Sequence, residues 1–139
     1  MSDATLVTRG ETRELSGRSV FRHHQRPAHS SRMNTWVAVC ALTDIVPNTG
    51  VCALVGGHQV AVFRLDDDSV HAIGNHDPFS RVNVLSRGIV GDLKGELVVA
   101  SPVYKQHFSL ASGQCLEDPG VRVPVFSVRV QDGTVWVRV

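Results

Sequence analysis

Apolar and polar residues alternate in short runs along most of the chain from Trp36 onward, and turn residues separate the runs. The C-terminal run VPVFSVRVQDGTVWVRV alternates with a period of two on both sides of Asp132-Gly133, a dipeptide typical of tight hairpin turns. Gly56-Gly57 separates two further runs in the same way, and the acidic residues 66–68 lie at the tip of another hairpin. Short strands with turns about every 8–12 residues predict an all-β sandwich or small barrel.

A further strand pair is predicted where GELVVASP and HFSLASG flank a loop. The preceding segment, NHDPFSRVNVLSRGIVGDLKG, lacks alternation and contains several Gly residues and a Pro. We therefore expect residues 75–95 to form a long connection without strands. Long ordered loops on a rigid β framework often contain functional residues.

The first 33 residues differ from the rest, because they lack a sustained period and are rich in Arg, Ser, Thr, Gly and His. This composition favours a disordered extension over residues 1–33 and a folded domain over residues 34–139. Met33 stands just before the first predicted strand, so a natural start at Met33 is a hypothesis that N-terminal sequencing can test. His23, His24 and His29 could bind a metal, but a solvated tail is the favoured interpretation.

Composition and charge restrict the classes of function. Hydrophobic residues make up 42% and charged residues 19% of the 139 residues, as in ordinary globular proteins. The net charge of +1 gives no general attraction to nucleic acid or to a membrane. No apolar run is long enough to cross a bilayer, and no secretory signal is evident, so a cytoplasmic protein is expected.

The three cysteines, Cys40, Cys52 and Cys115, form an odd and widely spaced set without a C-x-x-C pair. Neither a disulfide framework nor a thiolate metal site is indicated, and each cysteine is expected to pack as a small hydrophobic residue. A nucleophilic pair of Cys115 and His107 is not favoured, because no acidic residue is evident that would orient the histidine. The sequence contains no phosphate-binding or dinucleotide-binding glycine motif.

A metal site near the middle of the chain is a weaker alternative. His76 and Asp77, with His71 nearby, offer nitrogen and oxygen ligands suited to zinc or to a mononuclear iron. His71 lies on an alternating strand, where an ordinary histidine is the favoured interpretation.

Two segments at the ends of predicted strands resemble the cluster-binding loops of the Rieske fold. In that family the loops contain C-P-H and C-P-x-H, whose two Cys and two His residues hold a 2Fe–2S cluster. Here the segments are HAIGNHDPF and VVASPVYKQHFSLASGQCLEDP. The resemblance places Asp77 and Phe79 at the ligand positions of the first loop, and Ser101 and Tyr104 at those of the second. It therefore implies a Rieske-like fold whose degenerate site binds no cluster and no other metal.

A narrower family is indicated by DPFS, by VLSRGIVGD and by the tail that ends in CLEDP. These pieces closely resemble the small subunit of the cytoplasmic NAD(P)H-dependent nitrite reductase, a Rieske-like domain without cluster ligands. The resemblance implies a partner, the large subunit, which contains FAD, siroheme and a 4Fe–4S cluster and reduces nitrite to ammonium. It implies that this chain has no cofactor and no catalytic residue of its own and supports the activity of the large subunit.

Without cluster ligands, the tips of the two loops become candidates for a protein-binding surface. Arg81 and Arg87 lie near the first tip, and Tyr104 and Lys105 lie at the second. Tyr and Arg frequently anchor interfaces, so we expect these residues and Phe79 to dock on the large subunit, with the basic side chains facing carboxylates. A compatible alternative is that Phe79 and Tyr104 fill the space of the cluster. Two other functions stay open: an electron carrier with another bound centre, and an interaction or regulatory module of a different oxidoreductase.

Overall fold

The computed structural model describes residues 5–8, 11–14 and 35–139, and within these residues 13 β-strands and two short 3-10 turns form the fold. The 3-10 turns are Leu42–Asp44 and Leu85–Arg87. The strands are β1 (Thr5–Thr8), β2 (Glu11–Glu14), β3 (Trp36–Ala41), β4 (Thr49–Val55), β5 (His58–Arg64), β6 (Val70–Gly74), β7 (His76–Asp77), β8 (Val82–Asn83), β9 (Ile89–Leu93), β10 (Glu96–Ala100), β11 (His107–Ser109), β12 (Val125–Gln131) and β13 (Thr134–Arg138).

One large antiparallel sheet contains eight of these strands in the order β2-β1-β4-β5-β6-β12-β13-β3. The sheet curls, so that β3 approaches β1 and β4. A three-stranded sheet, β11-β10-β9, and a two-stranded pair, β7-β8, form a smaller layer. The predicted all-β architecture is confirmed.

The hairpins predicted from turn dipeptides are also confirmed. Gly56 and Gly57 join β4 to β5 with φ angles of +55° and +83°, and Asp132 and Gly133 join β12 to β13 with φ angles of +54° and +77°. Two successive positive φ angles produce the tight turn whose twist matches that of the flanking strands. The acidic residues 66–68 form an exposed turn between β5 and β6.

The expectation that residues 75–95 form a connection without strands is wrong. This segment contains β7, β8 and β9, and β9 is joined to β10 by Lys94 and Gly95, whose φ angles are +56° and +86°. The β9 strand lies at the edge of its sheet and is largely exposed. Because neither of its faces is fully buried, its sequence does not show the apolar alternation that normally reveals a strand.

The core has two parts, which meet at β5. Val60 and Val62 pack inside the curled sheet, whereas Ala61 and Phe63 pack outward against the smaller layer, where they meet Phe108 and its neighbours. All five side chains are buried. Each large apolar side chain contributes about 1.5–3 kcal/mol when it is removed from water. The strand therefore fixes the layer that contains the loops onto the main sheet.

Two strands lie within the segment that was predicted to be a disordered extension. The β1 strand pairs with β4, and β2 pairs with β1, so these residues occupy an edge of β4 that would otherwise leave backbone groups unpaired. The histidines at 23, 24 and 29 and the hypothetical start at Met33 lie outside the described residues. The division of the chain at residue 33 stays a prediction.

Candidate functional site

Two short loops contain the residues that the resemblance assigns to the cluster positions. Loop 1 (residues 77–81, DPFSR) connects β7 to β8, and loop 2 (residues 101–105, SPVYK) follows β10. Each loop begins with a short oxygen-containing side chain and has proline in its second position. Proline fixes φ and has no N–H to satisfy, which suits a residue at the start of a tight turn.

The two loops have the same pattern of hydrogen bonds. In loop 1 the N–H of Arg81 donates to the carbonyl oxygen of Asp77 at 2.7 Å, and in loop 2 the N–H of Lys105 donates to the carbonyl oxygen of Ser101 at 3.1 Å. In both loops the N–H of the third residue donates to the side-chain oxygen of the first, at 2.9 Å in loop 1 and 3.2 Å in loop 2. Such local bonds from Asp and Ser stabilise turns.

A hydrogen bond between Asp77 and Ser101 joins the two loops. The Ser101 hydroxyl donates to Asp77 Oδ2 at 2.5 Å, and both residues are 0% exposed. Burial favours a higher pKa for Asp77, but hydrogen bonds from the Ser101 hydroxyl and the Phe79 N–H outweigh burial and hold its pKa below the ordinary value. At neutral pH the loops are therefore joined by a hydrogen-bonded carboxylate.

The side chains of the two loops do not fit a 2Fe–2S cluster. A Rieske cluster requires two thiolates and two imidazoles, whereas the corresponding positions offer a carboxylate, a phenyl ring, a hydroxyl and a phenol. The Ser101 hydroxyl instead donates a hydrogen bond to the Asp77 carboxylate. The Phe79 ring packs against Phe108 with 6.1 Å between the ring centroids, so it extends the apolar layer beneath the loops.

The five candidate docking residues divide into one packed residue and four exposed ones. Phe79 is half-buried and packs on the second part of the core. Arg81, Arg87, Tyr104 and Lys105 are exposed, and Tyr104 has 61% of its surface accessible. The space-filling alternative therefore agrees with the position of Phe79 but not with that of Tyr104. Whether these residues dock on a partner stays a prediction.

Exposed apolar residues beside the loops were missed by the sequence analysis. Val82 is paired with Asp77 across β7-β8, and Ile89 is paired with Ala100 across β9-β10. Val82, Ile89 and Val103 are 45%, 75% and 42% exposed. The sequence feature that could have revealed them is the presence of β-branched residues within segments that otherwise resemble polar loops. We define the loop-tip surface as the basic and apolar residues Arg81, Val82, Arg87, Ile89, Val103, Tyr104 and Lys105.

The weaker metal-site alternative is not supported by the geometry. His76 and Asp77 are adjacent in β7, and only Asp77 is buried, since successive residues of a strand face opposite sides. His76 Nδ1 lies 3.0 Å from Asn83 Oδ1, and burial lowers the pKa of His71. Within the part of the chain that the structure describes, no group of three or more His, Cys, Asp or Glu side chains is placed to hold a metal.

Cys115 and His107 do have an acidic neighbour, which the sequence analysis missed. Glu117 Oε2 lies 2.6 Å from His107 Nδ1, and the Cys115 thiol donates to Glu117 Oε1 at 3.6 Å. Cys115 is nevertheless fully buried, and burial raises the pKa of its thiol, so the thiol suits packing rather than nucleophilic attack. Cys40 and Cys52 are also buried, and none of the three forms a disulfide within the described residues.

Comparison with known proteins gives concordant matches. The model of the Rieske-like [2Fe-2S] domain family matches residues 35–138. The nitrite reductase (NADH) small subunit of Salmonella typhimurium is 50% identical over 107 residues, which cover 76% of this chain and 99% of that protein. The NMR structure of the Escherichia coli protein NirD has 49% identity and a TM-score of 0.71, with coverage of 76% of this chain and 96% of that one.

A further relative has a different architecture. The nitrite reductase NAD(P)H large subunit of Klebsiella oxytoca is 41% identical over 117 residues, which cover 84% of this chain but only 12% of that protein. A counterpart of this chain is therefore a small part of a much longer polypeptide in that organism. Separately, no helix among the described residues is long and apolar enough to span a membrane.

Proposed function

Because the chain belongs to the Rieske-like domain family and matches nitrite reductase small subunits over 76% of its length, we propose that it is the small subunit of an NAD(P)H-dependent nitrite reductase. The observation that carries this proposal is 50% identity along 99% of a small subunit. The Klebsiella oxytoca match supports it further, since joining the two components in one polypeptide is useful only if they act together.

The large subunit of this enzyme is the partner, and we assign to it the FAD, the siroheme, the 4Fe–4S cluster and the reduction of nitrite to ammonium. The small subunit supports that activity in the cytoplasm without a 2Fe–2S cluster of its own. This assignment is supported by the loop chemistry, in which a hydroxyl donates a hydrogen bond to a carboxylate where the family has two thiolates. We assign no electron-transfer step to this chain.

The loop-tip surface is the part that we propose to face the large subunit. It combines exposed apolar side chains with Arg81, Arg87 and Lys105, and aromatic and arginine residues are those that most often anchor interfaces. Phe79 lies beneath this surface, and its contact with Phe108 supports loop 1. The Asp77–Ser101 hydrogen bond keeps the two loops together before the partner binds, which reduces the entropic cost of docking.

The test is purification of the affinity-tagged full-length chain from its native cells, followed by identification and spectroscopy of its partner. We expect a large co-purifying protein with siroheme and flavin absorption, which reduces nitrite with NADH or NADPH. A solitary chain, or a partner without siroheme, would overturn the proposed function.

Docking by the loop-tip surface is tested separately, with two variants of the same affinity-tagged chain. Arg87→Glu places a negative charge on the loop-tip surface, and Lys94→Glu makes the same change at the exposed turn between β9 and β10. We expect only Arg87→Glu to release the large subunit. Equal retention of the partner by both variants would exclude this surface while leaving the enzyme assignment intact.

A further inference from the structure

Arg81 and Lys105, the last residues of the two loops, share an unusual backbone conformation. Their φ angles are +66° and +68°, in the left-handed region that residues with a side chain usually avoid. The conformation is needed because the N–H of each residue closes its loop on the carbonyl oxygen of the first residue. Glycine adopts it at a lower conformational cost, yet both loops have a long cationic side chain at this position.

These two side chains have no ionic partner within the described part of the chain. The ion pairs there join Arg64 to Asp68 and His107 to Glu117. Asp77, the carboxylate nearest in sequence to Arg81, is buried and bonded to Ser101. Both cationic residues are also exposed.

The two cations occupy equivalent positions in two joined loops. Each occupies the fifth position of its loop, and the first positions of the loops are joined by the Asp77–Ser101 hydrogen bond. Exposed apolar residues, Val82 and Tyr104, directly adjoin the two cations in the sequence. Lys94 has the same conformation in a hairpin turn, so the conformation alone does not mark a function; Arg81 and Lys105 differ from Lys94 in that they stand on two loops joined by a buried hydrogen bond.

We propose that Arg81 and Lys105 form a two-point cationic clamp that recognises a pair of carboxylates on the surface of the large subunit. This inference rests on the proposed function and specifies the chemistry of the docking surface. Arginine binds a carboxylate through two parallel N–H groups, and lysine acts as a point charge. The attraction is local, since residues 34–139 contain eight Lys and Arg against ten Asp and Glu residues and thus have no overall positive charge.

The experiment compares glycine substitutions at three left-handed lysine or arginine positions in the full-length chain. Arg81→Gly and Lys105→Gly remove the two cations, and Lys94→Gly is the matched control, because Lys94 has a φ angle of +56° but lies in the turn between β9 and β10. Binding of each variant to the purified, cofactor-containing large subunit is measured at several salt concentrations. Thermal unfolding of each variant is measured in parallel.

We expect Arg81→Gly and Lys105→Gly each to weaken binding about tenfold at low ionic strength, with a smaller loss as salt screens the charges. Lys94→Gly should bind as the unmodified chain does. All three variants should unfold at the original temperature or above it, since glycine relieves the backbone strain, so weaker binding is not a result of misfolding. Unchanged binding of Arg81→Gly and Lys105→Gly would overturn the clamp alone. An unmodified chain that does not bind the large subunit would overturn both the clamp and the proposed function.

Discussion

Replacing Ser101 by alanine removes the hydroxyl that joins loop 2 to loop 1. The lost bond to Asp77 is short, at 2.5 Å, and both of its residues are fully buried; the longer bond from the Val103 N–H, at 3.2 Å, is lost as well. Water therefore cannot easily replace the missing donor, and the Asp77 carboxylate keeps only its remaining hydrogen bonds. A hydrogen bond to a charged group contributes about 1.5–3 kcal/mol. We expect Ser101→Ala to lower the free energy of unfolding at pH 7 by about 2 kcal/mol, which corresponds to a fall of roughly 10 °C in the unfolding temperature.

The pH dependence of this loss has a definite sign. In the unmodified chain the folded-state pKa of Asp77 lies below its ordinary value, so its contribution to stability is present above about pH 4 and disappears as the pH falls through the folded-state pKa. In Ser101→Ala one of the hydrogen bonds that oppose the effect of burial is lost, so the folded-state pKa of Asp77 rises. In the folded variant Asp77 then takes up a proton at a higher pH than in the unmodified chain. The stability difference between the two chains should therefore narrow between pH 7 and pH 4.

Urea unfolding at pH 7 and near pH 4, followed by the fluorescence of Trp36 and Trp136, measures both effects. Ser112→Ala is the control, because it also removes a serine hydroxyl that accepts from a nearby backbone N–H, that of Gln114 at 3.2 Å. Ser112 is exposed, so water can replace the lost bond and the cost should stay below about 1 kcal/mol. A loss for Ser101→Ala no greater than that of the control, or one that is independent of pH, would refute the reasoning.

Two further predictions separate packing from docking and test the support of loop 2. Phe79→Ala should lower the free energy of unfolding by about 2 kcal/mol, because it removes a half-buried ring that contacts Phe108. Tyr104→Ala should change stability by less than about 0.5 kcal/mol but weaken binding to the large subunit about tenfold. A Tyr104→Ala variant that is destabilised but binds normally would contradict the docking role of Tyr104. Gly88→Ala should cost about 1–3 kcal/mol, since a Cβ at Gly88 would lie 2.3 Å from the carbonyl oxygen of the residue before Ser101, whereas Gly91→Ala meets nothing within 4 Å and serves as its control. Equal stability of Gly88→Ala and Gly91→Ala in urea unfolding would contradict this packing argument.

The sequence predicts the features that depend on short-range patterns. Gly56-Gly57 and Asp132-Gly133 were identified because the turn and both alternating strands lie within one short segment. The turn at Lys94-Gly95 has the same pair of positive φ angles, but lysine is an unusual first residue and β9 lacks a buried face. Its hairpin was therefore missed.

The site itself depends on contacts between residues that are distant in the sequence. Asp77 and Ser101 are separated by 24 positions, and no periodicity relates them; only the resemblance to the Rieske loops brought them together. The contact of Glu117 with His107 spans ten positions around a hairpin, so the orienting acid was not recognised. The similarity of DPFSR to SPVYK, in contrast, was visible in the sequence and could have indicated two equivalent loops.

The hydrogen bond that joins the loops also changes what the protein requires in order to mature. In a Rieske domain the equivalent loops are joined through iron, so their final arrangement depends on cluster delivery and is lost when the cluster is removed. Here the connection consists of a carboxylate and a hydroxyl that every newly made chain already contains. The loop-tip surface can therefore form as soon as the chain folds, and neither iron limitation nor oxidants that destroy clusters should affect it.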